Sequence, residues 1–134
     1  MEQDKMMSDG MTRSERAVMY KSANNCCQAV LLAYTPELGM PQEQLLALGA
    51  CFGSGMGGMQ ETCGALCGAQ MVQGLLHSAG KRMNPQASAL RNEFERRCGA
   101  TRCRDLKGVD TDHGVLCSCE DCVRNAVEAL EDLH

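Results

Sequence analysis

The sequence predicts an all-helical protein, a compact single-domain bundle of five to six helices. Three observations predict it. Apolar residues recur at spacings of three and four, as in the Val123, Val127, Leu130 and Leu133 series near the end of the chain. Helix-start residues (Thr12, Asn25, Pro41, Asn84-Pro85) and stop residues (Thr35-Pro36, Gly99) alternate at helix-length intervals. No run shows the alternation of a half-buried strand.

In chain order, residues 1–11 are polar and acidic and read as a disordered tail ahead of a helical domain over 12–134. Thr12 with Glu15 three residues on is a capping box. It starts a first helix through Ala17, Val18 and Tyr20, which Asn24 or Asn25 interrupts. A second helix carries Cys26, Cys27, Ala29 to Leu32 and Tyr34. It ends at Thr35-Pro36, because the residue before proline avoids the helical region. Pro41 opens a third helix that holds Leu45, Leu46, Leu48 and Cys51. Four glycines within residues 53–58 then break the chain into a loop able to adopt positive φ or to approach another segment closely. A fourth helix runs from about Thr62 to Ser78. Its small residues Gly64, Ala65, Gly68, Ala69 and Gly74 suit close packing of a neighbouring backbone, more often than a cofactor. The fifth starts at Asn84-Pro85, with Asn84 as cap, and stops at Gly99. A short turn over Cys103–Leu106 and a polar loop over 110–114 lead to a last helix over about 120–133.

Chain length, 134 residues, suits one domain with a real core. With two Phe, two Tyr and no Trp, the ten Met and many Leu and Ala are expected to fill it. Net charge is −4 and no basic run exceeds two residues, so no duplex nucleic-acid partner is expected. The longest apolar run, Ala29–Ala33 with its flanks, is about half a membrane span, so no membrane insertion is expected. The polar start lacks a signal segment, which predicts a cytoplasmic protein. Ten cysteines in such a chain point to metal binding or thiol redox chemistry rather than a disulfide framework. About half of them are expected to be ordinary buried side chains.

Two groups of cysteines stand out. Cys63 and Cys67 lie four apart and share one helix face. Cys117, Cys119 and Cys122 cluster at the start of the last helix, where a thiol pKa is lowered by exposed N–H groups. Cys119-Glu120-Asp121-Cys122 is a C-x-x-C, although its two acids oppose that lowering and no thioredoxin context surrounds it. The glycine loop lacks a following Lys-Ser/Thr and a preceding strand, so no nucleotide is expected. Val123 follows Cys122, so no haem c attachment motif exists. His77 and His113 are weaker metal-ligand candidates, and Glu61 suits a helix-start dipole partner.

The stretch from Phe52-Gly53-Ser54-Gly55 through Thr62-Cys63-Gly64-Ala65-Leu66-Cys67-Gly68 resembles the CGAxxG signature. It is the mark of a family of redox-active proteins named for a C…GCAxxG…C…C pattern, and the resemblance spans about Ser14 to Leu133. It implies a helical fold, a redox role and four signature cysteines. These fall on Cys26 (in Asn25-Cys26-Cys27-Gln28), Cys63, Cys103 and Cys119, with Cys27 and Cys122 as alternatives to the first and last. A related domain in split-Soret cytochromes is thought to hold an iron–sulfur cluster with such cysteines.

Three functions follow as expectations. The first is an iron–sulfur or other redox metal site on Cys26, Cys63, Cys103 and Cys119, for electron transfer or sensing. The second is metal-free thiol–disulfide chemistry, with Cys63 or Cys119 attacking and Cys67 or Cys122 resolving. The third is a structural zinc or interaction module. The redox partner is not legible, and a homodimer is left open.

Overall fold

The computed structural model describes residues 10–134. The expected tail falls almost wholly on residues 1–9, outside the described residues. Eight α-helices follow in order: α1 (Arg13–Lys21), α2 (Cys26–Ala33), α3 (Thr35–Leu38), α4 (Gln42–Gly49), α5 (Gly64–His77), α6 (Asn84–Cys98), α7 (Cys103–Lys107) and α8 (Cys119–Leu133). Six have eight or more residues, which is the expected bundle. The additions, α3 and α7, are single short turns. An isolated antiparallel bridge joins Thr62 and Arg102.

Local sequence explains most boundaries. Thr12 and Glu15 form the reciprocal capping box that starts α1. Asn25 and Gln28 repeat the device at α2, unforeseen because Asn is less often read as half of such a box. Helix α2 ends at Ala33, and Thr35, expected to avoid the helical region before proline, instead begins α3 with Pro36, whose missing N–H costs nothing in a first turn. At α6, Met83 takes the cap position and Asn84 is already helical.

Helix α2 is apolar all round and lies at the centre, against α1, α4, α5 and α8. Ala29, Val30, Leu31 and Ala33 are fully buried. Its approach to α5 depends on the CGAxxG glycines. A Cβ on Gly64 would stand 2.6 Å from the Phe52 carbonyl oxygen, and one on Gly68 would stand 2.9 Å from the Cys27 carbonyl oxygen. The small-residue stripe therefore serves backbone packing at these two positions. At Gly74 a Cβ would meet nothing within 4 Å, so packing does not explain that residue.

Methionine does not fill the core. None of the seven described methionines is buried, and Met19 and Met56 are exposed. Leu, Val, Ala, Phe94 and cysteine occupy the interior, because helices brought close by Gly64 and Gly68 leave narrow, regular gaps. Leu133, expected on the apolar face of α8, is likewise exposed. No helix among the described residues is long and apolar enough to cross a membrane.

Buried Arg13 ties α1 to α3 and α8 through two ion pairs. Arg13 lies over the Tyr34 ring at 4.5 Å, pairs with Glu131 at 2.6 Å, and also pairs with Glu37. Removing one partner of such a pair leaves uncompensated charge in the interior. Arg13→Ala is expected to cost about 3–5 kcal/mol, read as a lowered urea midpoint at unchanged slope. Gly68→Ala is expected to destabilise by about 1–3 kcal/mol through overpacking against Cys27, in the same assay.

Candidate functional site

The four signature cysteines sit at the start of four different helices. Cys26 is the first residue of α2, Cys63 caps α5, and Cys103 and Cys119 are the first residues of α7 and α8. All four line one cavity of about 340 Å³, with Lys21, Lys107 and the glycine loop as other walls. Helix N-termini present unpaired N–H groups and partial positive charge, so their convergence favours an anionic occupant.

Local backbone bonds create this convergence. The Cys63 N–H donates to the Thr101 carbonyl at 2.8 Å, and the Cys103 N–H donates to the Glu61 carbonyl at 3.0 Å. These bonds flank the Thr62–Arg102 bridge and hold the α5 and α7 starts side by side. The glycine loop closes above them, with the Arg104 N–H donating to the Met59 carbonyl at 3.0 Å. Gly55 is indispensable there. Its φ is +73°, and an added Cβ would stand 2.6 Å from the Cys103 Cβ. On the far wall, the Cys26 thiol points to the Cys119 carbonyl, 4.0 Å away.

The expected alternatives separate. Cys26 lines the cavity, whereas Cys27 is fully buried with its sulfur 4.0 Å from Met71 Sδ. Cys119 lines the cavity, whereas Cys122 is buried one turn on, hydrogen-bonded with Cys63. Cys63 and Cys67 do not act from one face. Cys63 precedes the helix and faces the cavity. Cys67 lies within α5 and faces a separate groove of about 550 Å³ beside Arg91 and Thr101. Cys51 is exposed. Neither histidine candidate reaches the thiols: His77 stacks on His134 at 4.0 Å, and exposed His113 bonds within its own loop. Glu61 contributes its backbone carbonyl to Cys103 rather than its carboxylate.

Electrostatics at the site oppose free thiolates. Burial pushes the Cys26 thiol up, and Cys63 and Cys119 add to it, against Lys21 and Lys107. Cys63 is raised by its bond with Cys122 and by burial, although the Ala65 and Leu66 N–H groups pull the other way. Cys103 is raised by burial and by Cys63. The expectation of a lowered pKa at the start of α8 fails for Cys122. A bond from Cys63 lowers it, but contact with Cys98, burial and Cys117 outweigh that bond and leave the thiol raised. Lys107 shows the converse. Burial alone would lower its pKa, and the sulfurs of Cys122, Cys119 and Cys63 outweigh burial and raise it. Lys21 and Lys107 were not singled out from sequence. The signal available was the i,i+4 spacing of Cys103 and Lys107, which puts both on one helix face.

The family model described as "Putative redox-active protein (C_GCAxxG_C_C)" matches residues 24–133. The chain belongs to this family. Searches of curated proteins and of solved structures give no significant match. As a member of the C_GCAxxG_C_C family, the protein is redox-active by family description, with clustered cysteines able to hold a metal. Among the described residues, Cys98, Cys117 and Cys122 form a group of three ligands whose sulfurs all lie within 4.8 Å of one another. No three of the cavity cysteines meet that spacing.

Thiol labelling checks this arrangement. On native, reduced protein at neutral pH, an alkylating reagent is expected to reach exposed Cys51 first. It should reach Cys27 far more slowly, because burial and the neighbouring Cys67 push that thiol up to about 12. Mass spectrometry showing Cys27 labelled as fast as Cys51 would contradict the burial described.

Proposed function

We propose that the protein carries a Cys-ligated iron–sulfur cluster and serves in one-electron transfer or redox sensing, in a reducing compartment such as the cytosol. The observation that carries this reading is the meeting of four cysteines, each at a helix N-terminus, around one cavity flanked by two lysines.

The donor set fits the group. Four thiolates are the usual ligation of two-iron and four-iron clusters. A single tetrahedral zinc with bonds of about 2.3 Å needs sulfurs only about 3.8 Å apart. No three of the cavity sulfurs lie within 4.8 Å of one another, and a multi-iron group spans a wider ring. The cluster, when bound, supplies the one-electron chemistry. The chain's own residues do the rest. Cys26, Cys63, Cys103 and Cys119 provide the sulfur ligands. The Ala65 and Leu66 N–H groups reach the Cys63 sulfur, and Lys107 reaches Cys119. Such donors, with Lys21, offset negative charge and favour the reduced state, because net charge and hydrogen bonds to sulfur set the potential. The glycine loop covers the cavity without filling it, since Gly55 has no side chain.

The thiol–disulfide reading gains less support. Of its two candidate attacking residues, Cys63 is buried with its thiol raised rather than lowered, and Cys119 is half-buried.

Protein purified without oxygen, or reconstituted with iron and sulfide, is expected to be coloured and to contain stoichiometric iron. Cys26→Ser, Cys63→Ser, Cys103→Ser and Cys119→Ser are each expected to lose most of it, and Cys51→Ser to keep it. Colourless protein with stoichiometric zinc, or iron retained in all four variants, would overturn the proposal. Lys21→Gln is expected to lower the reduction potential measured by dye-coupled titration, because a positive charge is removed from the cavity wall.

A further inference from the structure

The four-cysteine cavity leaves a second thiol cluster unused. Cys98 ends α6, Cys117 lies in the segment before α8, and Cys122 lies one turn into α8. Their sulfurs are all within 4.8 Å of one another, and the residues are 4%, 7% and 0% exposed. Their spacing is fixed by other bonds. The Leu116 and Cys117 N–H groups both donate to the Leu106 carbonyl, at 2.8 and 3.2 Å, tying the segment to α7.

Each sulfur faces an N–H donor. The Asn125 amide nitrogen lies 3.5 Å from Cys98 Sγ and 3.8 Å from Cys117 Sγ, and Lys107 Nζ lies 3.8 Å from Cys122 Sγ. Cysteines that merely fill a core need no such partners. Cys27 shows the contrast, with only the sulfur of Met71 as its partner. Bringing an amide and an ammonium to three buried sulfurs is the outer shell that metal-bound thiolates require.

We propose that Cys98, Cys117 and Cys122 form a second, three-thiolate site for a soft monovalent cation, Cu(I), beside the four-cysteine cavity. With metal–sulfur bonds of about 2.3 Å, a trigonal ion places its sulfurs about 4.0 Å apart. Sulfurs already within 4.8 Å reach that spacing by small side-chain rotations. Thiolate softness selects Cu(I), and the cluster offers three sulfurs in a dry setting rather than the closed tetrahedron of structural zinc. Binding forms three copper–sulfur bonds and releases the three thiol protons to solvent. Copper enters and stays as Cu(I), so no electron is transferred. Three thiolates and one Cu(I) leave a net negative charge, which Lys107 and the Asn125 amide offset. This site does not depend on iron in the cavity. It shares with it only Lys107 and the contact between Cys122 and Cys63.

The test titrates reduced, metal-free full-length protein with Cu(I) against a chromogenic Cu(I) chelator without oxygen. X-ray absorption on the same sample counts the sulfur ligands. The tightest equivalent is expected to show three sulfurs, to persist in the Cys26→Ser/Cys119→Ser double variant, and to weaken at least tenfold in Cys98→Ser and Cys117→Ser. Because those serines sit in the interior, Asn125→Leu provides a second variant. It keeps all three thiols and is expected to weaken Cu(I) roughly 10- to 100-fold with an unchanged circular dichroism spectrum. Copper held equally by wild type, Cys117→Ser and Asn125→Leu would overturn the proposal. So would four-sulfur coordination that Cys63→Ser abolishes.

Discussion

The backbone clasp between the CGAxxG segment and the start of α7 is the constraint on which the rest depends. Two hydrogen bonds, Cys63 N–H to Thr101 and Cys103 N–H to Glu61, join segments far apart in sequence. A bridge of this kind costs loop-closure entropy, and two bonds alone return little of it. The remainder comes from helices packed around it. Leu106 on α7 is fully buried, and its carbonyl anchors the segment that carries Cys117 into α8. One short clasp therefore positions Cys63 and Cys103 directly, and Cys117 and Cys119 through α7.

Glycines make the clasp sterically accessible. Gly64 and Gly68 allow α5 to lie against α2, which brings the start of α2, with Cys26, to the same end of the bundle as Cys63. Gly55 lets the loop pass over Cys103. Gly108, at φ +73°, lets α7 end against Gly114, where an added Cβ would stand 2.3 Å from the Gly114 carbonyl carbon. The signature glycines are thus packing residues whose consequence is a site, rather than a cradle for the ligand itself.

Charge balance ties the two thiol groups together. Buried thiols close to one another resist ionisation, and a cation reverses that preference by binding the thiolate directly. Lys107 stands between the groups, within reach of Cys119 on one side and Cys122 on the other. Its ammonium also donates to the Cys117 carbonyl at 3.2 Å, which holds it between them.

Much was legible in the sequence by itself. Helix periods, the Thr12–Glu15 box, Pro36, Asn84-Pro85 and Gly99 fixed six helices, because caps and breakers act within a few residues. The resemblance to the CGAxxG pattern singled out Cys26, Cys63, Cys103 and Cys119. Local rules could not show that these four meet, because that depends on a bridge and on glycine contacts between distant segments. They could not place Cys98 beside Cys117 and Cys122, nor Lys21 and Lys107 on the cavity wall. They misjudged methionine as the core filler, because composition counts side chains but not the interhelical distance that selects among them. The sequence determined which residues can start helices and which can bind soft metals. Only the tertiary structure decided which thiols share a space, because that is set by how closely glycine lets two backbones approach.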